Sequence, residues 1–193
     1  MTRHAEVRRT TKETDVAVRL TIEGSGSSAA DTGIPFFDHM LQQLGTHARF
    51  DLEVRAKGDL EVDAHHTVED VGIAIGQALV EALGDKTGVR RFGHASVPLD
   101  EALVEVSLDL SGRPFVVHEV PVPAETIGTY DPGLTEDFVR AFATTAGMTL
   151  HARLRSGRSP HHVVEAEFKA IARALGDACE IRGGGTPSTK GTL

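Results

Sequence analysis

The chain has 193 residues, with 20 Lys plus Arg against 28 Asp plus Glu, a formal charge of −8 and one cysteine. That length suits one large domain or two fused small ones, and 40% hydrophobic with 25% charged residues is a globular rather than a disordered balance. The acidic surplus argues against a nucleic-acid partner, and no apolar run approaches the roughly 20 residues of a membrane helix.

In chain order, Val16, Val18, Leu20 and Ile22 alternate as a half-buried strand does, and Gly24-Ser25-Gly26-Ser27-Ser28 reads as a loop. Leu52 with Val54 gives a shorter strand. Val68, Val71, Ile75, Leu79 and Ala82 follow helical spacing, with Asp63 as the expected N-cap. The series then recurs. Leu103, Val104, Val106, Leu108 and Leu110 form a strand pattern, and Leu150, Ala152 and Leu154 a shorter one. Val164, Phe168, Ile171 and Leu175 are helical, with Ser159 as N-cap and Pro160 at the first helical position. The N-terminal Met1-Thr2-Arg3-His4-Ala5-Glu6 lacks the apolar stretch of a signal peptide, and the lone Cys179 can form no internal disulfide. A cytoplasmic home is expected.

The recurrence extends to the chemistry. His65-His66-Thr67-Val68-Glu69 and His161-His162-Val163-Val164-Glu165 share the pattern HHxxE, 96 residues apart. The likeness continues through Ala82-Leu83-Gly84-Asp85 and Leu175-Gly176-Asp177, and upstream His39 falls opposite Asp137. The economical reading is a duplication joined near residues 86–93, with a first half-repeat over 1–88 and a second over 89–193 that includes the C-terminal tail. Each half reads as strands, a helix, a strand and a second helix. This predicts an α+β fold with antiparallel or mixed sheets covered on one face by helices.

Both histidine pairs fall in the first turn of a helix. There His65 and Glu69 share a face and Glu69 also lies within reach of His66. Adjacent histidines diverge by about 100°, so a pair suits two metal ions better than one. Two HHxxE turns plus His39 and Asp137 supply eight candidate ligands, four per ion. Imidazole with carboxylate suits Mn, Fe, Ni or Zn, and the lack of thiolate argues against a purely structural zinc site. Octahedral Mn(II) would leave positions open for a substrate. Asp137, an acid near a helix start, either ligates or complements the helix dipole. His47, His94, His118 and His151 carry no comparable pattern. Cations for an anionic substrate are available at Arg90-Arg91, Arg113 and Lys169. The tail Gly183-Gly184-Gly185-Thr186-Pro187-Ser188-Thr189-Lys190-Gly191 either frays or wraps a phosphate.

With these residues in view the sequence resembles the imidazoleglycerol-phosphate dehydratase family. The resemblance runs from Thr11-Lys12-Glu13-Thr14 through Phe36-Phe37-Asp38-His39-Met40-Leu41 and both HHxxE turns to Pro187-Ser188-Thr189-Lys190-Gly191. It implies two pseudo-symmetric halves, each a four-stranded sheet with two helices, the helices sandwiched between the two sheets. It implies an assembly of 24 subunits with two Mn(II) ions per active site, held by His39, His65, His66, Glu69, His161, His162 and Glu165. The eighth ligand of many members is a histidine in an EHF turn. Here the triplet is Glu136-Asp137-Phe138, so Asp137 supplies a harder oxygen or a water takes that place. Glu13, Gln43, His47, Arg91, Arg113, Lys169, Ser188 and Lys190 match substrate-contacting positions, although by its chemistry alone Glu13 reads as solvated surface.

The activity implied is removal of water from imidazole glycerol phosphate, giving imidazole acetol phosphate in histidine biosynthesis. Lewis-acid ionisation of the ring and departure of hydroxide would fall to the metals, proton transfer to Glu165, and a second acid–base role to Glu13. A dinuclear metal-dependent phosphate-ester hydrolase is the competing enzyme reading. A metal-storage protein is the competing non-enzyme one, opposed by Arg91, Arg113, Lys169 and Lys190 in an otherwise acidic chain.

Overall fold

The computed structural model describes residues 2–191; Met1, Thr192 and Leu193, at the ends of the two expected halves, lie outside the described residues. Strands β1 (His4–Thr10), β2 (Thr14–Thr21), β3 (Ser28–Asp31) and β4 (Asp51–Gly58) form one sheet in the order β1-β2-β4-β3. Strands β5 (Phe92–Leu99), β6 (Ala102–Asp109), β7 (Phe115–Glu119) and β8 (Thr149–Ser156) form a second in the order β5-β6-β8-β7. In both, the first three strands of that order run antiparallel and the last pairs parallel to its neighbour, because a helix crosses over between β3 and β4 and between β7 and β8. The expected mixed sheets and duplicated order are thus present.

Period-two patterning places Val16, Val18 and Leu20 of β2 with Leu52 and Val54 of β4 on one buried face, and Val104, Val106 and Leu108 with Leu150 and Ala152 on the other sheet. The opposite face of the first sheet is charged and solvated, laced by pairs such as Arg8–Asp15 and Arg19–Glu53. Helices α1 (Pro35–Ala48) and α2 (His65–Leu83) cover the first sheet, and α3 (Leu134–Thr145) and α4 (Pro160–Cys179) the second. The two helical layers then face each other, α2 against α3 and α1 against α4, so the order of layers is sheet, helices, helices, sheet.

One continuous core joins the halves. At its centre Phe138 of α3 stacks on Phe168 of α4 at 5.1 Å and meets Phe37 of α1 edge-on at 5.5 Å. Those rings fix the first turns of α1 and α3 beside α4. Ser159 caps α4 as expected, accepting from His162 N–H, with Pro160 in the first turn. The Asp63 cap is displaced: Ala64 holds the N-cap of α2, and Asp63 instead accepts from His65 N–H at 2.8 Å in a turn one residue further out.

The α2–α3 approach depends on two glycines one turn apart on α2. A β-carbon on Gly72 would lie 3.0 Å from the Phe138 carbonyl oxygen, and one on Gly76 would lie 2.9 Å from the Phe142 carbonyl oxygen and 2.8 Å from Thr145 Cβ. Gly76→Val therefore forces α3 away from α2. It is expected to cost about 1–3 kcal/mol of overpacking or more, read as a lowered Tm by calorimetry; an unchanged Tm would mean that the helices do not pack this closely.

Candidate metal centres and active site

The two histidine pairs open α2 and α4 in matching geometry. His65 and His66 have ring centroids 6.1 Å apart and planes at 82°, His161 and His162 5.9 Å and 79°. Since neighbouring helical residues diverge by about 100°, one imidazole of each pair joins side chains of the facing helices and the other turns to loop carboxylates.

The α4 group draws on both halves. His161 Nε2 lies 3.0 Å from Glu165 Oε2, and His39 Nε2, from α1, lies 3.6 Å from the same oxygen. Lys169 Nζ donates to the other carboxylate oxygen at 2.6 Å. Burial favours the neutral carboxyl of Glu165, but the Lys169 ammonium, with His161 and His39, outweighs it and holds its pKa below the usual value. The edge of Phe36 packs on His161 at 5.1 Å. Along α1 the Gln43 amide links two imidazoles, with its nitrogen 3.5 Å from His39 Nε2 and its oxygen 2.9 Å from His47 Nε2. Burial, then Lys169 and Arg173, lower the pKa of His47. His47, Lys169 and Arg173 line a cavity of about 500 Å³ beside β5.

The α2 group is its counterpart and is more open. His65 Nδ1 lies 3.4 Å from Asp137 Oδ2 of α3, and His65 Nε2 lies 3.8 Å from Glu69 Oε2. Asp137 thus occupies, toward α2, the place that His39 occupies toward α4.

His66 and His162 join neither group. His66 Nδ1 sits 3.1 Å from Asp59, with Glu13 at 3.8 Å, and His162 Nδ1 sits 2.7 Å from Glu101. Hydrogen bonds donated to these carboxylates raise both imidazole pKa values, and His162, with backbone N–H donors of Ser159 and Arg158, holds Glu101 down to about 2. Asp59 immediately follows β4 and Glu101 sits in the two-residue hairpin between β5 and β6; the sequence reading missed both. The signal that would have found Glu101 is the turn chemistry at Leu99-Asp100-Glu101-Ala102. Among the described residues, no three His, Cys, Asp or Glu side chains of one chain converge tightly enough to hold a metal ion.

The proposed phosphate contacts separate likewise. Arg91 makes a two-point ion pair with Asp109, at 2.6 and 3.0 Å, stacks over Phe92, and donates from Nη1 to the Pro187 carbonyl at 2.7 Å. These contacts, with Arg91 N–H to Ala178, hold its backbone at φ 76°, a left-handed conformation rare for a long side chain. They also tether the tail, where Lys190 N–H donates to Ser188 Oγ. Arg113 is exposed, its carbonyl accepting from Thr149 Oγ1. Lys169 is held at Glu165, in the α4 group. One chain therefore brings Arg91 to the tail and Lys169 to the histidines, but does not gather all five into one clamp.

A buried pair lies beneath α3. His118 Nε2 contacts Glu167 Oε1 at 2.8 Å, with His118 and Glu167 side chains 4% and 0% exposed, and His118 Nδ1 faces Glu136 at 3.6 Å. Among the described residues Glu167 Oε2 has no hydrogen-bond partner. The sequence had given His118 no role; it ties β7 to α4 and steadies the turn that carries Asp137.

A duplicated sheet–helix–helix–sheet enzyme, its helix ends dressed with histidine–carboxylate groups, is the class that this fold and site define. A sequence profile described as imidazoleglycerol-phosphate dehydratase matches residues 32–175. The chain is 58% identical to the imidazoleglycerol-phosphate dehydratase of Frankia casuarinae over the whole of both chains, and 53% identical to the chloroplastic one of Pisum sativum over 100% of this chain and 69% of that protein. Crystal structures of the Staphylococcus aureus and Pyrococcus furiosus enzymes superpose with TM-scores of 0.84 and 0.85 at 36% and 37% identity, covering 92% and 97% of this chain and 99% and 100% of theirs. The chain belongs to the imidazoleglycerol-phosphate dehydratase family. Its activity is the dehydration of imidazole glycerol phosphate in histidine biosynthesis. No helix among the described residues is long and apolar enough to cross a membrane.

The His118–Glu167 pair carries a pH signature. Burial opposes the charge on His118, but the hydrogen bond and charge of Glu167, with Glu136, raise its pKa above the ordinary value. A raised histidine contributes fully below the unfolded pKa, about 6.5, and loses that contribution as pH climbs through the folded value. Against His118→Gln, which removes the charge that faces a buried carboxylate, the wild-type chain is expected to be more stable by about 3–5 kcal/mol near pH 6. That advantage shrinks toward pH 9 in urea titrations; an advantage constant across this range would contradict an imidazolium–carboxylate pair.

Proposed function

We propose that this dehydratase works with two Mn(II) ions per active site, completed between copies of the chain in a homo-oligomer, of 24 subunits by family resemblance. The observation carrying the reading is the division of the histidines: two groups, His39–His161–Glu165 and His65–Glu69–Asp137, each one ligand short, and two outward imidazoles, His66 and His162, with no group of their own. The donor set fits. It is all nitrogen and oxygen, and the sole thiol, Cys179, is buried elsewhere with its pKa pushed up to about 12. Asp59 and Glu101 engage Nδ1 of His66 and His162, the arrangement by which carboxylates orient a metal-ligating imidazole through its other nitrogen. Each chain would supply His66 and His162 to groups of its neighbours. When bound, the ions supply the Lewis acidity that lets the substrate's imidazole ring ionise and its adjacent hydroxyl depart.

The chain's own side chains do the rest. Lys169 keeps the Glu165 carboxylate ionised, ready to take the proton from the carbon next to the one that loses hydroxide. The product is an enol and water, and the enol tautomerises to the ketone of imidazole acetol phosphate. Glu13, beside His66, is the second acid–base group, placed to return a proton to carbon. The linked His39, Gln43 and His47 side chains orient the ring end of the substrate. Arg91, Arg113, Lys169, Ser188 and Lys190 take the phosphate, drawn from more than one chain, and its binding energy aligns the reacting carbon. Such work on a free metabolite suits the cytoplasm.

Kinetics separates the two kinds of residue. Glu165→Gln is expected to lower kcat by about 10²–10⁴-fold with a small change in KM. Lys190→Ala raises KM and spares kcat, since a ground-state phosphate contact is lost. Near-normal kcat in the first variant would exclude Glu165 from proton transfer, and unchanged KM in the second would remove the tail from the phosphate site.

A further inference from the structure

The two inward groups hold equivalent places in the two halves yet present different donors. His39, His161 and Glu165 offer two imidazoles and one carboxylate, whereas His65, Glu69 and Asp137 offer one imidazole and two carboxylates. Charge and solvent widen the difference. Glu165 is 11% exposed and already neutralised by Lys169 at 2.6 Å. Glu69 and Asp137 are 49% and 40% exposed, and among the described residues neither has a Lys or Arg within ion-pair distance. The cavity of about 450 Å³ beside His65 adds Asp63 and Asp131 rather than a cation. One group is nitrogen-rich, with a sheltered carboxylate that a lysine neutralises; the other is oxygen-rich, with two exposed carboxylates and no cation beside them.

Imidazole donors favour borderline ions such as Zn, Ni and Fe, while carboxylate and water donors favour Mn and Mg. We propose that the two metal centres of this chain are inequivalent: the Asp137 centre selects a hard, oxygen-preferring divalent cation, and the His39 centre accepts a borderline one, so that a single chain can carry two different metals. This rests on the two-centre reading above. A neighbour's imidazole added to each group leaves the contrast intact, because it raises both nitrogen counts by one. The residue that sets the contrast is Asp137, since its counterpart across the pseudo-twofold is His39.

Displacement of manganese by zinc tests it without reference to turnover. The full-length protein is saturated with Mn(II), Zn(II) is added stepwise, and released Mn(II) is read as the free aquo ion by electron paramagnetic resonance. One equivalent per chain is expected to leave first, and the second only at Zn(II) about tenfold higher or more, given the preference series. Asp137→His brings the late release down to meet the early one. The reciprocal His39→Asp pushes the early release up to meet the late one, and keeps the test open should the first variant fail to assemble. A single release phase in the wild-type protein, or a gap unmoved in both variants, overturns the inequivalence alone. Fewer than two Mn(II) bound per chain at saturation overturns the two-centre reading, and the inequivalence with it.

Discussion

Two neighbouring residues of an α-helix cannot face the same way, and the arrangement of this site follows from that constraint. A single histidine at the start of α2 and α4 would have made a group closed within the chain. A pair at each start sends one imidazole inward to Asp137 or Glu165 and the other outward to Asp59 or Glu101. On the proposed two-metal reading, each inward group lacks one ligand and each outward ring is one to spare. On that reading demand and supply balance at two each.

The packing exists to hold those helix ends in register. The Phe37, Phe138 and Phe168 cluster sets α1 and α3 against α4, and Gly72 and Gly76 let α3 lie close enough to α2 for Asp137 to reach His65. Neither inward group belongs to one half: His39 serves α4 of the second repeat, and Asp137 serves α2 of the first. Duplication therefore gives more than two copies of a motif. It makes each repeat supply the missing side chain of the other, and a shared core is the condition for doing so. Beneath α3, the buried His118–Glu167 pair resists any loosening of the turn that presents Asp137.

Much of this is legible in the sequence itself. The alternation in β2 and β6, the helical stripes of α2 and α4 and the twin HHxxE turns are periodic signals, strong because one face of each element is buried. Strands β1, β3, β5 and β7 are less legible because edge strands carry charged and polar side chains that blunt alternation. Asp63 had the right residue type for a cap but sits one position out, a distinction that depends on backbone angles rather than composition. Glu101 escaped notice because it lies 61 residues from the histidine it serves, and Asp59, only seven from His66, because its approach depends on the path of the loop between β4 and α2. Lys169 was legible as a cation near Glu165 on the same helix face, yet its 2.6 Å bond to that carboxylate, and its separation from Arg91 and the tail, are tertiary facts.

The central claim is that metal centres form between chains rather than within one. Sedimentation velocity of the metal-free protein, with Mn(II) added stepwise and bound metal counted in each sample, addresses it most directly. On this account bound Mn(II) and sedimenting mass rise together, over one range of metal concentration, and more steeply at higher protein concentration. Tight binding of two Mn(II) ions by single chains whose mass does not change would contradict it.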